Sequence, residues 1–310
     1  MKAALISPFS MAGGGSTRLC DLVKNTDLDW VLILPEKDKY GDSPQDSRVF
    51  HPVKHKSMLN LPFWCLRTLR FLKEFKPDVV HALKPHPYTV LPSVIYCKVS
   101  GCRLVYDCDE WDPLTLSDNQ RNMVEVGASK ILITLALHAS DAILYANHRL
   151  FEERMPKKLQ LKCFYVPNGV DLDLFSPQKK EHEGFIVGFV GLIHKIRHIE
   201  PLIRAIDFVK HRIPYVKAKI IGAGPALEEF KQKVAGEGLS GYFLFEGYVE
   251  HEKIPEYLAD CDVLIAPFRN LPGVSYQCNM KLFEYMGLGK PIIATDVGDI
   301  PRLLSDAGYV

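Results

Sequence analysis

Lys281-Leu-Phe-Glu-Tyr-Met-Gly-Leu-Gly-Lys-Pro-Ile-Ile-Ala-Thr295 is the stretch from which the rest of this chain can be read. It describes a short apolar helix with one interior acid, Glu284, then a Gly-Leu-Gly-Lys-Pro break, then an apolar strand from Pro291 to Ala294. In an open parallel sheet, ligands bind outside the carboxyl ends of the strands. There a helix N-terminus offers unpaired N–H groups to phosphate, and an acid a turn further in can accept hydrogen bonds from a ribose. The plain alternative places Glu284 on a solvated helix face.

Working outward, short β-branched runs alternate with amphipathic segments along the whole chain, the pattern of βαβ units and a parallel sheet. Strands are expected near Lys2–Ser7, Trp30–Leu34, Val49–His51, Asp78–Ala82, Arg103–Asp107, Ala142–Ala146 and Phe164–Val166. A second series runs through Ile186–Val190, Lys217–Ile221, Tyr242–Phe245, Asp262–Ala266 and Pro291–Ala294. Between the series, Pro167-Asn168-Gly169-Val170-Asp171 supplies a turn, and Ser176 to Gly184 a charged, proline-containing linker. The expected fold class is α/β, with two Rossmann-like domains, residues 1–176 and 177–310, and a cleft between them. A length of 310 residues agrees, because single cores seldom grow so large.

Bulk composition excludes several classes. With 38 basic and 37 acidic residues the net charge is +1, so electrostatics give no argument for nucleic acid. Hydrophobic content of 47% and charged content of 24% are those of a folded globular chain. The eight cysteines contain no Cys-x-x-Cys pair, and the apolar run Ala3–Ile6 is too short for a signal peptide, so reduced thiols in a cytoplasmic protein are expected. Ile131–Leu137 is far below spanning length. Leu61 to Lys76 places Phe63, Trp64, Leu66, Leu69, Leu72 and Phe75 against Arg67, Arg70, Lys73 and Lys76 at helical spacing. This is either a sheet-covering helix with a solvated basic face, the favoured reading, or a peripheral contact of residues 61–76 with an anionic membrane.

Four further motifs carry chemistry, each with a bland reading beside it. Gly13-Gly14-Gly15 after the first strand lets backbone amides approach a phosphate or sugar, though such loops are also ordinary connectors. Beyond Phe189-Val190-Gly191 stands Arg197, which can pair a diphosphate bidentately in place of a metal. Its neighbours Lys195 and His198 also suit a solvated basic loop. Ile221-Gly222-Ala223-Gly224-Pro225 imitates a dinucleotide fingerprint with Glu246 as its acid. Leu227 stands where a small residue is wanted, and a tight βα turn is the preferred reading. Asp107-Cys108-Asp109-Glu110 follows a buried strand and suits a divalent ion, a polar group beside a reacting sugar, or a helix N-cap ahead of Asp112-Pro113.

On Val166–Asp171 with Phe175, Phe189–Gly191, Ile221–Pro225, Phe245–Val249, Ala259–Val263 and Lys281–Pro291, the chain resembles the family 4 glycosyltransferases, the large retaining group with the GT-B architecture. The likeness runs collinearly from Met1 to Val310. It implies an N-terminal acceptor-binding domain, a C-terminal domain for a nucleotide-diphosphate sugar, and transfer to a glycan, lipid or small-molecule acceptor, as in cell-envelope polysaccharide synthesis. It also implies a location in the cytoplasm or on the inner membrane face. By position, Glu284 would hold the ribose, and backbone at Asn279 and Met280 would meet the diphosphate. Arg197 would neutralise phosphate, Gly14 and Gly15 would face the sugar phosphate, and Tyr248 with Val249 would flank the base. Asp109 would orient or stabilise the reacting sugar. No metal or other cofactor is implied.

The pattern departs at three places: Tyr276 replaces a second acid, Leu192 an arginine, and Asp109 a histidine. The chain also stops at Val310, before the last strand and helices that the resemblance implies, so a truncated sequence is the expectation. Leu192, Tyr276 and that early end keep a catalytically silent binding protein as a rival. A second rival is an oxidoreductase using NAD or flavin at the Gly222–Ala226 turn.

Overall fold

The computed structural model describes residues 1–10, 14–24, 26–38, 41–42, 48–54, 57–178, 180–194, 199–305 and 307–310. In chain order the elements begin β1 (Lys2–Ile6), α1 (Gly14–Lys24), β2 (Asp29–Ile33), β3 (Lys37–Asp38), β4 (Gly41–Asp42), β5 (Val49–Phe50), α2 (Leu61–Phe75), β6 (Val79–Leu83) and α3 (Pro87–Ser100). They continue with β7 (Arg103–Cys108), α4 (Asp112–Asp118), α5 (Met123–Ala139), β8 (Ala142–Tyr145), α6 (His148–Arg154) and β9 (Cys163–Tyr165). The second series is β10 (Phe185–Val190), α7 (Pro201–Val209), β11 (Val216–Ile221), α8 (Leu227–Gly236), β12 (Phe243–Gly247), α9 (Ile254–Leu258), β13 (Val263–Ala266), α10 (Met280–Gly287), β14 (Ile292–Ala294), α11 (Ile300–Leu304) and β15 (Gly308–Tyr309). Each of the strands expected from the sequence is present.

The chain divides into two compact units, one of Met1–Asn168 with Tyr276–Cys278, the other of Gly169–Ser275 with Asn279–Val310. In the first, a seven-stranded sheet has the order β5-β2-β1-β6-β7-β8-β9, and every pairing in it is parallel. In the second, a six-stranded sheet has the order β12-β11-β10-β13-β14-β15, again all parallel. Strand order reverses between β1 and β6 in one unit and between β10 and β13 in the other. Crevices for ligands open at the carboxyl ends of the strands at such points.

Alternation along the strands explains why both faces of each sheet are covered. On β1, Ala4 and Ile6 join the core that holds Trp64 and Tyr88, while Ala3 and Leu5 join a separate one with Leu19 and Val23 of α1. On β11, Ala218 and Ile220 face a core with Leu202 and Ile206, and Ile221 faces the one that holds Leu282 and Tyr285 of α10. Helix starts are fixed locally: the side chains of Asn122 and Asn147 accept hydrogen bonds from the amides of Glu125 and Leu150, each at 2.9 Å, and so cap α5 and α6.

One expectation changes here. The second sheet does not end at the Pro291–Ala294 strand: Gly308 and Tyr309 pair with Ile292 and Ile293 as β15. Two residues are too few for a period-2 pattern to show in sequence. Ile293 nevertheless remains 49% exposed. Trp64, counted on the amphipathic face of residues 61–76, is fully buried, and its indole N–H donates to the Tyr88 carbonyl at 2.7 Å. Helix α2 covers its sheet, as the favoured reading had it. Among the described residues, no helix is long and apolar enough to cross a membrane.

Candidate nucleotide and sugar sites

In the second unit the site is built on α10. Asn279 is its N-cap in an extended conformation, Met280 its first residue, and Glu284 lies one turn on, 8% exposed. The acid is therefore not on a solvated face: His251 Nε2 lies 2.8 Å from Glu284 Oε1. His251 comes from the segment after β12, where Gly247 turns at φ 70° and its carbonyl accepts from the Gly222 amide at 2.6 Å. In that segment Tyr248 is 78% exposed and Val249 packs on the core of α10.

Lys281 adds a cation that the sequence reading did not single out. Its ammonium donates to the Val190 carbonyl at 2.9 Å and stands 4.4 Å from the centre of the Phe189 ring, at the carboxyl end of β10. The ammonium lies close against Gly191, where φ is 146° and a Cβ would fall 2.8 Å from the Lys281 Nζ. Leu192 is 52% exposed, and Arg197 with Lys195 and His198 lies outside the described residues.

The turn that imitates a dinucleotide fingerprint uses its glycines internally. At Gly222, with φ 135°, a Cβ would lie 2.1 Å from the Gly191 carbonyl oxygen, and at Gly224 one would lie 2.2 Å from that of Ile193. Backbone hydrogen bonds from Gly191 to Ile221 and from Ile193 to Ala223 lock the two loops together. The glycines bring backbone to backbone, the tight-turn reading, and Leu227 opens α8.

In the first unit, the carboxyl ends of β6 and β7 carry two buried ionic clusters. Asp107, fully buried, takes Arg18 Nε at 2.9 Å and Nη2 at 3.1 Å, with His81 Nε2 at 3.1 Å. Burial works to raise its carboxyl, but the Arg18 charge and the His81 hydrogen bond outweigh this and hold it below the usual carboxylate range. Arg18 also donates to Asn168 Oδ1 at 2.9 Å and to the Val166 carbonyl at 2.7 Å, tying the motif at the end of this unit to α1.

Asp109 belongs to the second cluster. Lys84, buried and with φ 67°, places its ammonium 2.9 Å from Asp109, 2.5 Å from Glu110 and 3.8 Å from Asp112. Burial works to lower the Lys84 ammonium, and the three acids more than reverse it. One cation cannot neutralise three carboxylates, so burial and mutual repulsion push Asp109 up and Asp112 well up. Asp107 and Asp109 are thus committed to different cations, and Asp112 is the first residue of α4. Among the described residues, no group of acids, histidines and cysteines is arranged to hold a metal ion.

Gly14 and Gly15 open α1, whose base is closed by a hydrogen bond of 2.8 Å between the buried hydroxyls of Ser7 and Ser16. Gly13 is outside the described residues. Tyr276, which stands where the resemblance implies a second acid, is 3% exposed in the first unit. Its hydroxyl donates to Glu153 at 2.7 Å and accepts from Arg154 Nε at 3.0 Å. That position supports packing. The structure thus groups Asn279, Met280 and Glu284 on α10 with Val249 in the same core, and Gly14, Gly15 and Asp109 in the other unit. His251, Lys281, Arg18 and Lys84 were missed because each is defined by a partner distant in sequence.

Residues 184–310 match the family model described as glycosyl transferases group 1. The lipopolysaccharide core biosynthesis mannosyltransferase LpsB of Rhizobium meliloti is 31% identical over 160 residues, 45% of this chain and 44% of that protein. The putative teichuronic acid biosynthesis glycosyltransferase TuaH of Bacillus subtilis is 24% identical over 221 residues, 65% of this chain and 52% of its own length. The chain spans about half the length, or less, of such curated relatives. Among solved structures, sucrose-phosphate synthase from Thermosynechococcus elongatus superposes with a TM-score of 0.78 at 17% identity, over 100% of this chain and 85% of that one. Anabaena HepE in complex with UDP-glucose gives a TM-score of 0.73 at 18% identity, over 98% and 82%. The two parallel-sheet units have the GT-B fold, and the second of them matches the glycosyl transferases group 1 model from residue 184 to residue 310.

Proposed function

We propose that this protein is a glycosyltransferase that moves a sugar from a nucleotide-diphosphate sugar to a glycan, lipid or small-molecule acceptor. The observation that carries the reading is α10, where a nearly buried Glu284 stands one turn from a helix start and Lys281 sits at the neighbouring strand end. In this reading the Asn279 and Met280 amides and Lys281, with Arg197, take the diphosphate, and Glu284 takes the ribose. Tyr248 and Val249 flank the base. Such donors stabilise charge as it develops on the leaving diphosphate, which is preorganised electrostatic catalysis without a metal. Gly14 and Gly15 face the sugar phosphate, Asp109 orients the reacting sugar, and the transfer is retaining, following the resemblance. The Gly222–Gly224 turn speaks against the oxidoreductase, since its glycines are filled by neighbouring backbone. Incubating the protein with UDP-, GDP- and ADP-sugars and a panel of membrane-derived and soluble acceptors tests the reading by release of nucleoside diphosphate. Donor binding with no turnover on any acceptor would favour the silent binding protein.

We also place the protein at the inner membrane face, through the outer stripe of α2. Phe63 and Leu66 are 65% and 66% exposed, close in sequence to Met58 at 72% and Leu59 at 87%, with Arg67, Arg70 and Lys73 exposed on the same helix. Sedimentation with vesicles containing acidic lipid should fall when Phe63 and Leu66 are both changed to Ser. Equal sedimentation by both proteins would remove the membrane from the account.

A further inference from the structure

We infer that His251 is a positioning residue that presents Glu284 to the donor ribose, so that this histidine sets the preference for ribonucleotides. The inference rests on the proposed reading of Glu284 and goes beyond it by naming the group that prepares that acid.

A glutamate side chain turns about three bonds, and a carboxylate that must meet a ribose diol loses that freedom on binding unless something has already fixed it. His251 does so: with Nε2 protonated it donates to Oε1 at 2.8 Å. Among the described residues, no other hydrogen bond reaches that carboxylate, so Oε2 remains for a ligand hydroxyl.

His251 is itself held. It opens the 3-10 turn His251–Lys253, and its ring lies 5.2 Å from that of Phe175 at 48°. Phe175 is 1% exposed, and its amide donates to the Asp171 carbonyl at 2.7 Å. Its backbone lies so close to α10 that a Cβ on Gly287 would come within 2.8 Å of the Phe175 carbonyl oxygen. The contacts form a closed circuit: α10 carries Glu284, Phe175 packs on α10, the His251 ring packs on Phe175, and His251 returns to Glu284. Because His251 lies two residues after Val249, the circuit also joins the proposed base-flanking segment to the proposed ribose acid.

The test is calorimetric titration of the whole chain with UDP, GDP and ADP, then with the 2′,3′-dideoxy form of whichever binds. His251→Ala is expected to raise the ribonucleotide Kd about tenfold and to leave the dideoxynucleotide Kd unchanged. His251→Gln, which restores a donor, should recover most of the loss, and circular dichroism should match the parent throughout. Binding of the ribonucleotide by His251→Ala as by the parent, or equal loss for both sugars, overturns the inference while leaving Glu284 in place. If none of the three diphosphates binds, or Glu284→Gln binds the ribonucleotide as the parent does, the ribose reading falls and the positioning role falls with it.

Discussion

Asp107, near the end of β7, and Asp112, the first residue of α4, answer pH in opposite directions. Asp107 is held below its ordinary value, so its stabilisation is present above the unfolded pKa of about 4 and is lost as pH falls through the lower folded value. Asp112 is held well above, so its contribution is complete at acid pH and is lost as pH rises through the folded value. At neutral pH, Asp107→Asn should cost about 3–5 kcal/mol, because it leaves the Arg18 guanidinium buried without its partner. Asp112→Asn mimics the protonated acid, and should leave Tm unchanged or raise it, with the gain vanishing towards acid pH. Thermal melts between acid and neutral pH separate the two. A loss of several kcal/mol from Asp112→Asn at neutral pH would mean that its charge is needed by Lys84. Neither behaviour was legible in the sequence. The Asp107-Cys108-Asp109 spacing left a shared ion, a polar group beside a sugar and a helix N-cap all open, while Arg18 and Lys84, the cations that divide these acids, come from α1 and the end of β6.

At the scale of elements, most strands were legible because a parallel strand buried on both faces needs a run of β-branched residues, and such runs stand out between amphipathic helices. Helix α10 was legible in kind, with an apolar face, an interior acid and a Gly-Leu-Gly-Lys-Pro stop. What escaped was the β3–β4 pair and β15, each strand with too few residues to show a pattern, and the use made of the Gly222 turn, which depends on a loop from another strand. That turn yields an element-scale expectation. Gly222→Ala combines a φ of 135° with a Cβ 2.1 Å from the Gly191 carbonyl oxygen, so the β10 and β11 loops must separate. The conformational strain alone is about 1–3 kcal/mol, and the clash adds to it. Chemical denaturation should show the loss, and donor binding should weaken because the Lys281 ammonium lies close against Gly191. A Gly222→Ala protein as stable as the parent would show that these loops part freely and that the glycine is a mere connector.

For the whole molecule, two Rossmann-like domains were legible from two strand series around the Pro167–Asp171 turn, GT-B followed from the resemblance, and the structure divides the chain within that turn, at Asn168 and Gly169. A consequence at this scale is independence from metal. Charge on the leaving diphosphate is assigned to Arg197, Lys281 and helix amides, so turnover should be unchanged by a chelator and should fall more than tenfold in Arg197→Ala. Activity abolished by chelation and restored by manganese would move the chemistry to Asp107 and Asp109 as ligands.

The central claim is that the second unit binds a nucleoside diphosphate through α10, and thermal melting with UDP, GDP and ADP tests it directly. A diphosphate at a hundred times its Kd should add about 2.7 kcal/mol of stability. One base should give that shift in the parent. In Glu284→Gln, an unliganded melt like the parent's should accompany a binding loss of about 1.5–3 kcal/mol, the range for a hydrogen bond to a charged group. No shift with any of the three, or equal shifts in parent and Glu284→Gln, would contradict the assignment of this site.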